Sequence, residues 1–243
     1  MKQLILATAI SAVFAANVHA EEVKPASEIS FNAAVVSDYR YRGISQTRLK
    51  PALQGGADWV SSSNGLYAGI WASTIKWTKD AGGDGSTEWD IYAGKRGEIA
   101  QGVSYDVGVL GYIYPSNSLN PSANTLEVYG QIGSGPFTLK YSHSTTNLFG
   151  FADSKHSGYL DGTFSQDVGQ GYILSVHAGH QQVKHNSKAS YSDWKVGVGK
   201  DLGVATITLA WIGTNADRNA YASPVNAKFT GRNALQLMAA KTF

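Results

Sequence analysis

Apolar and polar residues alternate one by one along most of this chain. Ile29, Phe31, Ala33 and Val35 share one side of a run whose other side carries Ser30 and Asn32. Side chains two apart in a strand point the same way, so each such run presents one apolar and one polar face. Val103, Tyr105, Val107 and Val109 stand against Ser104, Asp106 and Gly108. Leu126, Val128 and Ile132 alternate with Glu127, Tyr129 and Gln131, and Phe137, Leu139 and Tyr141 with Thr138, Lys140 and Ser142. Similar runs cover 53–60, 66–76, 88–96, 158–165, 172–179, 194–200, 205–212 and 234–243. The pattern predicts about 12 strands, an even number, with no helical stripe between them. Short turns near residues 62, 99, 134, 168 and 202 alternate with longer polar stretches near 45, 80, 119, 150, 185 and 222. Short turns at one end and long loops at the other are the layout of a membrane barrel.

The expected fold is therefore all-β: a single transmembrane antiparallel up-and-down β-barrel. A secreted β-sandwich also alternates, but it gives no reason for aromatic residues at strand ends. Here Tyr39, Trp59, Trp89, Tyr105, Phe137, Trp194 and Phe243 lie near the ends of apolar faces, as interfacial girdles would.

Both ends of the sequence agree with that expectation. Met1-Lys2-Gln3 followed by the uncharged apolar stretch Leu4 to Ala16 and by Val18-His19-Ala20 reads as a cleavable secretory signal over residues 1–20. Residues 21–28 are then a short periplasmic segment and residues 29–243 the barrel. At the other end Leu235, Leu237, Ala239, Lys241 and Phe243 share one face, and the sequence stops on the aromatic residue.

Composition narrows the partners. There is no Cys, so no disulfide is available to the chain. The formal charge is +2, and loss of Lys2 with the leader lowers it to +1, which gives no footing for nucleic acid. A mean hydropathy of −0.18 suits a barrel, whose lipid-facing and lumen-facing residues cancel in the average.

The segment Val36-Ser37-Asp38-Tyr39-Arg40-Tyr41-Arg42-Gly43-Ile44-Ser45-Gln46 resembles the signature of the TorF family of porins. In that family a signal peptide precedes a V-S-D-Y-x-x-R-G-x-S-Q stretch and the last strand closes on K-T-F. All three features occur here in order, so Ser37, Asp38, Tyr39, Arg42, Gly43, Ser45 and Gln46 are the residues that carry the resemblance. It implies an outer-membrane barrel with passage of solute, and it brings no substrate and no catalytic residue. The terminal Phe243 resembles the residue that the barrel-assembly machinery reads in outer-membrane barrels.

The alternation assigns a lumen set: Asp38, Arg40, Asp58, Glu88, Asp90, Arg96, Asp106, Glu127, Lys140 and Lys195, together with His177 and Asp193. It places Tyr39 toward lipid headgroups and Arg42-Gly43 at the start of the first outer loop. Asp38 and Arg40 then form a charged rim, or Arg40 and Arg42 hold that loop down through carboxylates such as Asp58 or Glu88. The outer loops are rich in cations (Arg42, Arg48, Lys50, Lys76, Lys79, Lys155, Lys184 and Lys188), which suits contact with anionic lipopolysaccharide.

Chemistry is weakly represented. His177 and His180 fall on opposite faces, so no metal centre is expected, and the glycine pairs precede no helix that would cradle a phosphate. Some outer-membrane barrels are lipid hydrolases, but adjacent His143 and Ser144 diverge on a strand and no G-x-S-x-G occurs. No cofactor and no enzymatic activity are expected. The functional expectation is a porin in a Gram-negative outer membrane that passes small solutes through a polar lumen, with loop one (residues 40–50) as its constriction. The alternative is a closed barrel with a surface or structural role. At about this strand number an interior is either filled by side chains or open.

Overall fold

The computed structural model describes residues 26–243. The leader expected over residues 1–20, and residues 21–25 after it, lie outside the described residues. The first strand, β1 (Ser27–Val36), begins at Ser27 rather than Ile29. The chain then makes a small hairpin, β2 (Arg40–Tyr41) and β3 (Ile44–Ser45). The wall resumes with β4 (Ala52–Ser61), β5 (Leu66–Thr74), β6 (Thr87–Ala100), β7 (Val103–Ile113), β8 (Thr125–Ser134) and β9 (Phe137–Ser144). It is completed by β10 (Gly158–Gly169), β11 (Tyr172–Gln182), β12 (Tyr191–Asp201), β13 (Thr206–Thr214) and β14 (Ala234–Thr242).

Twelve of these strands form a closed antiparallel barrel in which each strand pairs with its neighbour along the chain. The seam lies between β1 and β14, with Asn32 opposite Thr242 and Val36 opposite Met238. Closure leaves no unpaired edge, the condition for a sheet to cross lipid. Both ends of the barrel chain lie on the short-turn side, since Ser27 pairs with Ser61 just before the turn that joins β4 to β5.

The faces follow the predicted alternation. Phe31, Leu53, Ile91, Val107, Leu139, Leu209 and Leu237 are exposed on the outside of the wall. Such a surface would be an aggregation hazard in water and is the surface lipid requires. Trp59, Trp89, Phe137, Trp211 and Phe243 join this outer surface.

Tyr39 departs from the expectation. It is buried inside, 4% exposed, and its Oη donates to Glu88 Oε1 at 3.3 Å. The period of two holds only while the chain stays in the wall. Strand β1 ends at Val36, the backbone bends at Ser37 and Asp38, and the following residues enter the barrel. The second long loop also differs from a fully exposed one. It contains the short helix α1 (Trp77–Asp80), with Thr78 and Asp80 buried.

The interior is not uniform along its length. Inward-facing positions of β6 run from buried Glu88, Asp90 and Tyr92 through half-buried Gly94 and Arg96 to exposed Glu98. The filled half is the long-loop half. An aromatic cluster occupies it, in which Tyr41 and Tyr112 each meet the Phe149 ring edge-on at centroid distances of 5.5 and 5.2 Å. Edge-to-face pairs of this kind each contribute about 1 kcal/mol beyond the area they bury.

Candidate functional site

The hairpin β2–β3 closes the long-loop half of the lumen. Its two-residue turn is Arg42-Gly43, and both have positive φ, 46° and 79°. Positive φ at both central positions defines the tight hairpin turn whose twist matches antiparallel strands, and glycine is favoured there. A side chain on Gly43 would overlap Thr214 Cγ2 and lie 2.9 Å from Asp193 Cβ, so only glycine lets the tip approach the wall.

Asp38 organises the base of the hairpin. Its carboxylate accepts from Arg40 Nε at 2.8 Å, from Ser45 Oγ at 2.5 Å and from Thr47 Oγ1 at 3.3 Å. Arg40 also donates through Nη1 to the carbonyls of Gly43 (2.9 Å) and Arg232 (2.7 Å). The motif residues Ser45 and Gln46 act here too: the Gln46 carbonyl accepts from the backbone N–H of Lys76 at 2.9 Å, tying loop one to loop two. Farther out, Arg48 forms an ion pair with Asp80, and hydrogen bonding to that carboxylate raises the Arg48 pKa. Ser37 docks the strand end, its backbone N–H donating to the Leu237 carbonyl at 2.8 Å.

Arg42 reaches across the barrel rather than into an outer loop. Its Nη2 donates to both carboxylate oxygens of Glu127, at 3.0 and 2.8 Å, and its Nη1 to Gln181 Oε1 at 2.5 Å. The guanidinium carbon lies 4.2 Å from the centroid of the Tyr159 ring and 4.7 Å from that of Tyr41. Side chains of Arg42 and Glu127 are 6% and 2% exposed. Arg40 and Arg42 thus do hold loop one down, but through Asp38 and Glu127 rather than Asp58 or Glu88. A buried ion pair contributes little net stability over an apolar filling, yet breaking it by removing one partner costs about 3–5 kcal/mol.

The other predicted lumen residues face inward and form separate groups. Asp58 accepts from Tyr92 Oη. Asp106 accepts from Tyr67 Oη at 2.5 Å, and Tyr67 also bonds Tyr129. Arg96 lies over the Tyr67 ring (5.1 Å) and Lys140 over the Tyr129 ring (4.0 Å). His177 joins the walls of β10 to β12: its Nε2 is 2.8 Å from Asp193 Oδ1 and its Nδ1 3.5 Å from Asp161 Oδ1. Lys195 is half-buried on the same strand as Asp193. Glu88 and Asp90 are different. Glu88 Oε2 and Asp90 Oδ1 are buried without a hydrogen-bond partner among the described residues.

Sequence reasoning missed Asp161, Tyr159 and Gln181 as functional residues. The alternation of Tyr159, Asp161 and Thr163 against Leu160 and Phe164 was the signal that could have found the first two. His143 and Ser144 do not meet. His143 Nε2 pairs with His156 Nδ1 at 3.1 Å, while buried Ser144 donates its Oγ to the Thr146 carbonyl at 2.7 Å. Among the described residues no group of three or more His, Cys, Asp or Glu is placed to hold a metal ion. Phe243 closes the seam, exchanging backbone hydrogen bonds with Phe31 at 2.8 and 3.2 Å.

Two solved structures superpose on this barrel along nearly their whole length. The KdgM porin, solved in complex with disordered oligogalacturonate, matches with a TM-score of 0.53 at 7% identity, covering 89% of this chain and 98% of that one. The NanC porin matches with a TM-score of 0.54 at 8% identity, covering 88% and 98%. At such identities the likeness concerns the fold. No curated protein sequence matches the chain. The model of the bacterial protein family of unknown function termed Gcw_chp matches residues 20–243, and the chain belongs to that family.

Proposed function

We propose that this chain is an outer-membrane porin for small solutes, with the hairpin β2–β3 as its constriction. The observation that carries the reading is the sidedness of the wall. An apolar exterior surrounds a charged and polar interior, and that interior passes from buried at Glu88 to exposed at Glu98. The barrel shares its fold with the KdgM and NanC porins. The Ser37–Gln46 stretch adds the resemblance to TorF porins. On this reading the short turns face the periplasm and the long loops face outward, where Lys50, Lys76, Lys155, Lys184 and Lys188 meet lipopolysaccharide phosphates. The barrel-assembly machinery inserts the chain, guided by Phe243. No catalytic step is assigned.

A second reading has one specific observation behind it: the buried Arg42–Glu127 pair and the cluster of Tyr41, Tyr112 and Phe149 together fill the outer half of the lumen. On that reading the barrel is closed and acts as a surface or structural protein. Residues 21–243, refolded and inserted in a planar bilayer under a salt gradient, separate the two. Discrete current steps support passage. A folded barrel that stays silent, and stays silent when Arg42→Ala removes the side chain that crosses the lumen, supports the closed reading.

A further inference from the structure

The seat of Arg42 has the composition of a ligand site. The two Nη groups of the planar cation fork onto two acceptors, Nη2 onto the Glu127 carboxylate and Nη1 onto the Gln181 amide oxygen, with the Tyr159 face over it from the wall and the Tyr41 face from the hairpin itself. Guanidinium is the group that such a combination of fork and stacking recognises, since an ammonium offers neither the planar fork nor a face to stack.

Wall residues hold this seat in place without help from Arg42. Gln181 Nε2 donates to the carbonyls of Gly158 (3.0 Å) and Gln182 (3.1 Å), which turns its Oε1 toward the lumen. Glu127 Oε2 accepts from Tyr112 Oη at 3.2 Å. Tyr159 is fixed by donating to Asp193 Oδ2 at 2.9 Å. Three walls, β8, β10 and β11, therefore present a formed acceptor set, and preorganised acceptors are what make a small site bind.

The group occupying the seat lies at the tip of the hairpin, not on the barrel wall. Arg42 sits on a two-residue turn with a φ of 46°, a left-handed conformation that a non-glycine residue adopts at some cost. Asp38 pairs with Arg40 and Glu127 with Arg42, and the buried charged-group atoms left without a hydrogen-bond partner among the described residues are of both signs, Glu88 Oε2 and Asp90 Oδ1 on one side and Arg40 Nη2 on the other. Dedicated sites for hard divalent cations use six to eight oxygens in the case of calcium, far more than this aromatic-walled seat offers.

We infer that the seat formed by Glu127, Gln181 and Tyr159 is a recognition site for guanidinium-bearing solutes, and that Arg42 occupies it as an internal mimic until such a solute displaces the hairpin tip. The inference rests on the passage reading and names its solute class.

Planar-bilayer currents of the wild type and of Arg42→Ala, in potassium chloride with millimolar guanidinium chloride or methylammonium chloride added, test it. The emptied seat in Arg42→Ala gives a larger current, which guanidinium reduces at concentrations about tenfold lower than methylammonium does. Adding Glu127→Gln to that variant abolishes the difference. Equal effects of the two cations, or a guanidinium effect that survives Glu127→Gln, overturn the inference while the channel stands. If neither protein conducts, the passage reading fails. Thermal unfolding then reads the seat directly: guanidinium at the same concentration raises the midpoint of Arg42→Ala but not of the double variant, and an equal response removes the seat too. Should Arg42→Ala not fold, Arg42→Lys keeps the charge and loses the fork, and guanidinium competes with it by the same assay. Proteoliposomes should take up L-arginine faster than L-glutamate, and equal rates or the reverse order overturn the assigned class.

Discussion

Gly43 lies so close to Thr214 that a Cβ on it would overlap the threonine methyl, and its φ of 79° is one that glycine alone adopts freely. The tip of the hairpin can reach the wall of β13 only because this position has no side chain. That places Arg42, its neighbour in the turn, within reach of Glu127 on the opposite wall.

Gly43→Ala should therefore undock the tip without unfolding the barrel. The left-handed backbone costs an alanine about 1–2 kcal/mol, and the overlap adds to it. The expected result is a barrel with unchanged resistance to unfolding in unheated gels and new protease cleavage within residues 40–50. A loop as protected as in the wild type would show that the hairpin is not held at its tip.

The walls of this barrel were legible in the sequence because a period of two survives wherever a strand faces lipid on one side and lumen on the other. Val107 and Asp106, or Leu139 and Lys140, needed no further information. The alternation misplaces Tyr39 because the period of two ends at Val36, where the chain leaves the wall. The Asp38–Arg40 pair could be read since its members are two residues apart, whereas Arg42 and Glu127 are separated by 85 positions and meet only because the barrel closes. Gln181 was hidden for the same reason, and the filling of the outer half by Tyr41, Tyr112 and Phe149 depends on three loops packing together.

Sidedness itself can be measured. Val109 faces outward near the middle of β7 and is 45% exposed, while Gln131 of β8 faces inward beside Asp106. An arginine at the lipid midplane costs about 2–4 kcal/mol, and one in a wet lumen costs far less. Urea titration in liposomes should show that loss for Val109→Arg and under about 1 kcal/mol for Gln131→Arg. Equal losses would mean that the apolar wall does not face lipid.

The seam offers the last prediction. Phe243 and Phe31 exchange two backbone hydrogen bonds, which any residue at position 243 could make, and the Phe243 side chain is 68% exposed on the outer surface. Its ring therefore contributes little to the finished fold, and Phe243→Ala should change equilibrium stability in detergent by only about 1 kcal/mol or less. Assembly is a different matter if the terminal aromatic is the feature that the insertion machinery reads. Spontaneous refolding of Phe243→Ala, followed by the heat-sensitive shift in gel mobility, should match the wild type, while machinery-assisted insertion into proteoliposomes falls several-fold. Phe31→Ala supplies the control, because it removes the facing ring and keeps the terminus intact. A matching drop for both variants would assign the effect to the packing of the seam, and unimpaired assisted insertion of Phe243→Ala would remove the signal role.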